Sequence, residues 1–335
     1  MSSRAVWPER FKDNPKNEGE GSYEYFQRLA DIYDTTFGNV KTKYYRHSRD
    51  KKQYKSNKIS TDKHVSEFNW RDWTRQAQAM QTLKAKDSKT QDHAQWSIET
   101  DSPIYVMAFG DQQIGSWGTD YEAFERITEE IKNTPNLYVI LTGDMLQMAV
   151  KMRSVVEVMD NVIPPKQQFL ILEAWLQEIK HKVICAVWCN HVTMREENVL
   201  GWSPTAKLLA DNVIYHNHIG HIDINVNDQC YKVAVSHFFQ GRSMYNPTHA
   251  PMRYLRMNAH DRDIAIQGDF HVPGIQRYTE GGKDKLAVVN GSIQTNSGYA
   301  KRFFSLKTFN HMPVIRLHHE KKQFTPYMTL DEAMG

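Results

Sequence analysis

Cysteine is scarce in this chain. Cys185, Cys189 and Cys230 are the only three in 335 residues. They show neither the paired C-x-x-C spacing of a zinc site nor the density of a disulfide scaffold. A reducing, intracellular setting is expected. Long apolar runs are missing too: nothing approaches the roughly 20 consecutive apolar residues that span a bilayer. The opening Met-Ser-Ser-Arg leads into charged and polar residues instead of the apolar stretch of a secretion signal. A soluble, cytoplasmic protein with no membrane partner is expected. Internal repeats and strict low-complexity tracts are absent as well. What remains is a chain of 40% hydrophobic and 24% charged residues, long enough for one large domain and a small second one without covalent staples.

The net charge of +3 is unevenly spread. Residues 1–95 carry 19 Lys/Arg against 13 Asp/Glu, whereas the remainder carries 23 against 26. The surplus peaks between Lys41 and Lys58, where Asp50 is the only acidic residue. Just upstream, Tyr25, Phe26, Leu29, Ala30 and Tyr33 recur at helical spacing, predicting a helix over Tyr23–Tyr33. A second helix is predicted over Val40–Arg49, after a short Gly-containing turn. Two helices so joined form a candidate helix-turn-helix, with Lys41, Lys43, Arg46, Arg49, Lys51 and Lys52 placed to meet DNA phosphates. A helical hairpin with a solvated basic face has the same pattern, and the aromatic residues fit a small core equally well. The polar stretch 76–102 reads as a connector. The expected organisation is a helical, basic segment over 1–75, that connector, and a catalytic domain over 103–325.

Downstream, short apolar runs alternate with amphipathic stretches. Strands are predicted at Ile104–Phe109, Leu137–Leu141 and Val183–Trp188, and helices at Tyr121–Ile131 and Phe169–Ile179. Further runs at Val213–Tyr215, Ile222–Val226, Tyr231–Val235, Ile264–Ile266 and Leu286–Val289 point to a second sheet. The expected fold is α/β, a sandwich of two sheets flanked by helices, with the small helical segment at its N-terminus.

Each run ends in a polar residue able to bind a cation. The first leads into Asp111-Gln112-Gln113, the second into Gly143-Asp144, and the third into Cys189-Asn190-His191; later runs lead into Ser236-His237 and Gly268-Asp269-Phe270-His271. The carboxyl ends of strands in an open α/β sheet form the crevice where ligands collect. Carboxylate and amide oxygens suit hard divalent cations, and imidazole suits Mn, Fe, Zn or Ni. Taken singly, Asp111 and Asp144 could cap helices, Asn190 and Asp269 could sit in turns, and each His could be structural. A second histidine group, His216-Asn217-His218-Ile219-Gly220-His221, has no carboxylate or cysteine to complete it and reads as a water-exposed hairpin at the rim of the site. Gly241-Arg242-Ser243 and Asn290-Gly291-Ser292 read as turns.

In order and composition these motifs resemble the calcineurin-like metallophosphoesterases, whose signature runs Asp-x-His, Gly-Asp, Gly-Asn-His, a lone His, then Gly-His-x-His. The resemblance covers residues 100–320. It implies two divalent metal ions, the first held by Asp111, Gln113 and His271, the second by Asn190, His237 and Asp269, with Asp144 bridging. It further implies that a hydroxide activated by both metals attacks phosphorus, while His191 stabilises the transition state or protonates the leaving oxygen. The chain departs from the pattern in three places: Gln113 and Asp269 stand where the family has His, and Cys189 where it has Gly. The extra oxygen donors favour Mn or Mg over zinc.

The reaction class leaves the substrate open. The basic segment points to DNA, because Lys and Arg neutralising phosphates give sequence-independent affinity. The leading expectation is a nuclease of phage or mobile-element type. A phosphatase or nucleotide phosphodiesterase with a protein-docking N-terminus is the alternative within enzymes. A DNA-binding scaffold with a degenerate phosphoesterase domain is the alternative outside them.

Overall fold

The computed structural model describes residues 6–51, 69–87, 93–150, 158–295 and 311–335. The chain divides into two compact units, Met1–Asp87 and Ser88–Gly335.

The first unit contains helices α1 (Val6–Asp13), α2 (Ser22–Ile32), α3 (Phe37–Lys51) and α4 (Trp70–Asp87). At the start of α2 the Glu24 carboxylate accepts the Gly21 N–H at 2.9 Å, satisfying one of the donors a helix leaves unpaired at its first turn. One stripe of α2 is buried, formed by Tyr25, Phe26, Leu29 and Ala30. It packs with Trp7 and Phe11 of α1 and Val40 of α3. Tyr44 meets the rings of Phe11 and Tyr25 edge-on at 5.3 and 5.7 Å. The first expected helix corresponds to α2, which stops one residue short at Ile32, the second lies within α3, and their aromatic residues build a core. The stretch 76–102 differs from the expected connector: it holds most of α4 and the strand that opens the second unit.

The second unit is a sandwich of two six-stranded sheets. In one, β2 (Ile104–Phe109), β3 (Leu137–Leu141), β4 (Val183–Val187) and β5 (Ile214–His216) run parallel, while β11 (Val314–Leu317) and β12 (Phe324–Tyr327) extend the β2 edge antiparallel. The order is β12-β11-β2-β3-β4-β5. The other has the order β1-β6-β7-β8-β10-β9, formed by β1 (His93–Ile98), β6 (Gly220–Val226), β7 (Gln229–Ser236), β8 (Ile264–Gln267), β9 (Gly274–Glu280) and β10 (Lys283–Val289). Here β7, β8 and β10 are mutually parallel neighbours.

Period-two alternation assigns the strand side chains to two cores. In β2, Ile104, Val106 and Ala108 face the second sheet, packing with Ile222, Val233 and Ile266. Met107 and Phe109 face the helices α5 (Tyr121–Asn133) and α6 (Pro165–Ile179), packing with Ile127, Ile131, Leu172 and Leu176. Strands buried on both faces read as continuous apolar runs, which is why these runs are visible in the sequence. On the outer face of the second sheet, Ala234 and Ala265 pack with Ala250 and Leu255 of the helix His249–Met257. The layers are therefore helix, sheet, sheet, helix. This unit extends beyond both ends of the expected 103–325 domain. β1 pairs in parallel with β6, and Leu330 and Ala333 of the last helix enter the helix-side core.

Candidate metal centre

Six parallel strand ends, three from each sheet, deliver polar residues to one place. Asp111 follows β2, Asp144 follows β3, and Asn190 and His191 follow β4. From the facing sheet, His237 follows β7, Asp269 and His271 follow β8, and Asn290 follows β10. Asp144 lies in the middle: its Oδ2 is 3.1 Å from Gln113 Nε2 and 3.3 Å from His237 Nε2, and its Oδ1 accepts the His191 backbone N–H at 3.1 Å. On one side, Asp111 Oδ1 is 3.3 Å from His271 Nε2. On the other, Asn190 Oδ1 lies 3.2 Å from His237 Nε2, and Asn190 Nδ2 donates to Asp269 Oδ1 at 3.2 Å. All seven residues expected to bind metal are brought together, with His191 Nε2 4.0 Å from Asp144 Oδ2.

The backbone is shaped for this convergence. Nine described residues other than glycine have positive φ, and five of them are Asp111, Gln113, Asp144, Asp269 and His271. Each such residue costs roughly 1–3 kcal/mol, and strain of this kind collects where function requires a particular side-chain direction. Two glycines permit close approach. A Cβ on Gly268 would lie 3.0 Å from Asp111 Oδ2, and one on Gly143, at φ +102°, would lie 2.8 Å from His237 Nδ1. Cys189, which stands where the signature it resembles has Gly, is buried and is not among the positive-φ residues, so its side chain is accommodated without left-handed strain.

The electrostatics are those of buried charge held in balance. Burial works against the charged form of His237, but the Asp144 carboxylate outweighs it and holds the imidazole up at about 9. Burial likewise opposes ionisation of Asp144, yet His237 and His191 keep its carboxyl well below the usual carboxylate range. Burial also lowers His271, and the Asp111 carboxylate reverses this to a net upward shift.

The residues fit divalent cations. Asp111, Asp144 and His237 each offer a ligand atom, all within 4.8 Å of one another, and they are the one such group of three or more His, Cys, Asp or Glu among the described residues. Gln113 Oε1 is buried without a hydrogen-bond partner. An unsatisfied buried acceptor costs about 1–3 kcal/mol, a penalty that a cation would relieve.

Several residues at the site read from the sequence as turn formers or carry no mark there. Asn290 is fully buried; its Nδ2 donates to Asp111 Oδ2 at 2.9 Å, and its Oδ1 accepts from Thr142 Oγ1 at 2.6 Å. Ser292 Oγ donates to the Asp111 carbonyl at 2.7 Å. Arg242 forms an ion pair with Asp269 while remaining 56% exposed. Asn290 does follow an apolar run, the same signal that marks the other residues. The group from His216 to His221 differs from the expected exposed hairpin. His216 is buried at the end of β5, His221 belongs to β6 of the other sheet, and His221 Nε2 lies 2.9 Å from the Tyr254 hydroxyl. A Cβ on Gly220 would come within 2.3 Å of the His216 ring, so this glycine serves the crossing between sheets.

Of the basic residues expected to meet DNA, Lys41 and Arg46 are exposed on α3 and Lys43 is half-buried. The side chains of Arg49 and Lys51, and all of Lys52, lie outside the described residues. No described helix is long and apolar enough to cross a membrane.

No protein-family model matches the chain, and no curated protein does. Among solved structures it is similar to Vps29 of Entamoeba histolytica complexed with zinc, at 14% identity and a TM-score of 0.37, over 68% of this chain and 94% of that one. It is also similar to the nuclease MPE of Pseudomonas putida, at 11% identity and a TM-score of 0.30, over 66% of this chain and 87% of that one. A metallophosphoesterase from Sphaerobacter thermophilus aligns at 10% identity with a TM-score of 0.31, over 67% of this chain and 87% of that one.

Proposed function

We propose that this chain is a metal-dependent phosphoester hydrolase acting on phosphodiesters, with DNA as its substrate. The observation that carries the reading is the convergence of two buried carboxylates, Asp111 and Asp144, with His237 at facing strand ends of two sheets. Burying ionised carboxylates costs several kcal/mol each unless they are compensated. Here Gln113, Asn190, Asp269 and His271 surround them with further donors of the kind divalent cations accept.

When bound, two cations would polarise a phosphate and bring the pKa of water from about 15.7 towards about 7. The chain's own groups divide the remaining work. Asp144 lies between the two sets of donors. Asn290 and the Asp269 N–H fix the Asp111 carboxylate with bonds of 2.9 Å each. His191, 28% exposed and held by its backbone N–H to Asp144, would pass a proton to the leaving oxygen. Arg242 supplies a cation at the rim that can neutralise a phosphate oxygen. The basic face of α3 supports polynucleotide over a small phosphate ester.

The test is hydrolysis of bis-p-nitrophenyl phosphate, p-nitrophenyl phosphate and plasmid DNA, each with Mn, with Mg and with chelator. Metal-dependent cleavage of the diester and of DNA is expected. Preference for the monoester would replace the nuclease reading with a phosphatase. Less than one bound metal equivalent at saturating Mn or Mg would replace it with the scaffold.

A further inference from the structure

We propose that the cavity beside His237 is a nucleobase subsite, in which Trp188 and Phe238 offer ring faces to a base whose phosphate lies at the candidate metal centre. The proposal rests on the phosphodiesterase reading and names the part of the substrate that this site recognises.

The cavity has a volume of about 380 Å³, within the roughly 300–1,000 Å³ typical of small-molecule sites. Its lining adjoins the candidate ligands in the chain: Ser236 and Phe238, the residues on either side of His237, both line it, as does Trp188, two positions before Asn190. The Phe238 ring centroid lies 6.2 Å from that of His237, which sets the aromatic wall beside the candidate ligands.

The aromatic pair is presented to the cavity. Phe238 is 39% exposed while its neighbour Phe239 is buried. The Ser236 hydroxyl donates to the Phe238 carbonyl at 2.8 Å, fixing the turn that carries the ring. Phe238 meets Trp188 edge-on, with centroids 6.1 Å apart, and lies 6.2 Å from the His237 ring. Elsewhere in the lining Phe239 stacks on Tyr254 at 4.4 Å, and the Tyr254 hydroxyl is tied to His221.

Polar groups complete the recognition chemistry. Arg253 lines the cavity and donates one Nη1 bond to the Gln240 carbonyl at 3.3 Å. A guanidinium has five N–H donors, so others remain for base carbonyls or a flanking phosphate. A flat aromatic face with hydrogen-bonding groups at its edge matches a nucleobase. Stacking of this kind tolerates any base.

Two measurements test the subsite. In the first, thymidine 5′-monophosphate and ribose 5-phosphate are titrated calorimetrically into metal-free protein in EDTA. The nucleotide is expected to bind about tenfold tighter, the order of effect that one stacked base contributes. Trp188→Ala and Phe238→Ala should each erase most of that preference. Phe238→Leu keeps the apolar bulk without a ring face and should lose it too, provided its melting temperature matches the parent. Equal affinity for the two compounds overturns the proposal, as does a preference that survives all three substitutions or tighter binding of O-phosphotyrosine. Affinity that rises from the mononucleotide to thymidylyl dinucleotide assigns the base to a polynucleotide; equal affinity assigns it to a free nucleotide. In the second, a single-stranded oligonucleotide is compared with one carrying an abasic unit at the cleaved position, with Mn. A kcat/KM ratio of about ten that falls towards one in Phe238→Ala supports the subsite. Hydrolysis without base preference sinks the subsite alone, whereas base-dependent binding in EDTA with no hydrolysis under any metal sinks the phosphodiesterase reading alone.

Discussion

The two compact units both bury apolar cores, but they differ in what else they bury. Among the described residues, the N-terminal unit buries only apolar groups, from Trp7 and Phe11 to Val40, and leaves Lys41 and Arg46 outside. The larger unit buries Asp111, Asp144, His237, Gln113 and Asn290 in one place. Exposed lysines cost little and so reveal little about purpose. Buried carboxylates must be compensated, and imidazoles, amides and backbone N–H groups do so around Asp111 and Asp144, while the neighbouring Gln113 Oε1 is left without a hydrogen-bond partner. Backbone strain follows the same division. Asp34 is the one described positive-φ residue other than glycine in the first unit, whereas five candidate ligands share that conformation in the second. The physical case for function is therefore strong in one unit and compositional in the other.

The sharpest way to break this contrast is Asp144→Asn, which keeps the shape and removes the central charge. Metal-dependent hydrolysis should fall by more than the roughly 10–100-fold typical of losing an outer-shell partner. Full activity would show that the buried charge has no part in the reaction. Asn290→Ala, which removes the amide holding Asp111 Oδ2, should lie inside that roughly 10–100-fold range in metal affinity measured by calorimetry. An unchanged affinity would mean that the backbone N–H of Asp269 suffices to orient Asp111.

Protonation gives a smaller, graded effect. Asp144 holds His237 at about 9 in the metal-free protein, so binding a cation there must displace a proton. Apparent metal affinity should rise with pH from about 7 to about 9, by at most about tenfold per unit for one proton released, and flatten above. Titrations in buffers of different ionisation enthalpy would detect the proton; heats independent of buffer would remove His237 from the ligand set. The sign for stability follows from the same shift. Because the folded-state pKa lies above the ordinary value of 6.5, the stabilisation is complete below about 6.5 and is lost as pH rises through about 9.

The sequence shows much of the larger unit because of the way parallel strands are buried. Ile104–Phe109, Leu137–Leu141 and Val183–Val187 are covered on both faces, so each reads as an unbroken apolar run, and the first polar residues after it mark a strand end at the crevice. Asp111, Asp144 and Asn190 obey that rule. The strand β1 escapes it, since Ala94 is its only buried residue and an edge strand leaves a faint pattern. Asn290 carries the signal, but its role depends on Asp111, 179 positions away, and local sequence cannot show such a partner. His216 stands among polar neighbours in the sequence and so reads as exposed; its burial comes from the crossing of the chain between sheets.

In the first unit the case for DNA rests on charge alone. Replacing Lys41, Lys43 and Arg46 with Glu changes the face of α3 and leaves untouched the buried stripe of Tyr25, Phe26 and Leu29. Each phosphate no longer neutralised should remove about 0.9 from the slope of log affinity against log salt, or roughly a threefold difference in binding between about 50 and 200 mM. Hydrolysis of bis-p-nitrophenyl phosphate should be unaffected, because that substrate is too small to need a second point of attachment. An unchanged slope would show α3 to be ordinary solvated surface, and the distinction between a unit that binds substrate and a unit that cleaves it would disappear. A reduced slope with the ester rate intact would assign the two units separate parts in one reaction, the first contributing affinity and the second chemistry.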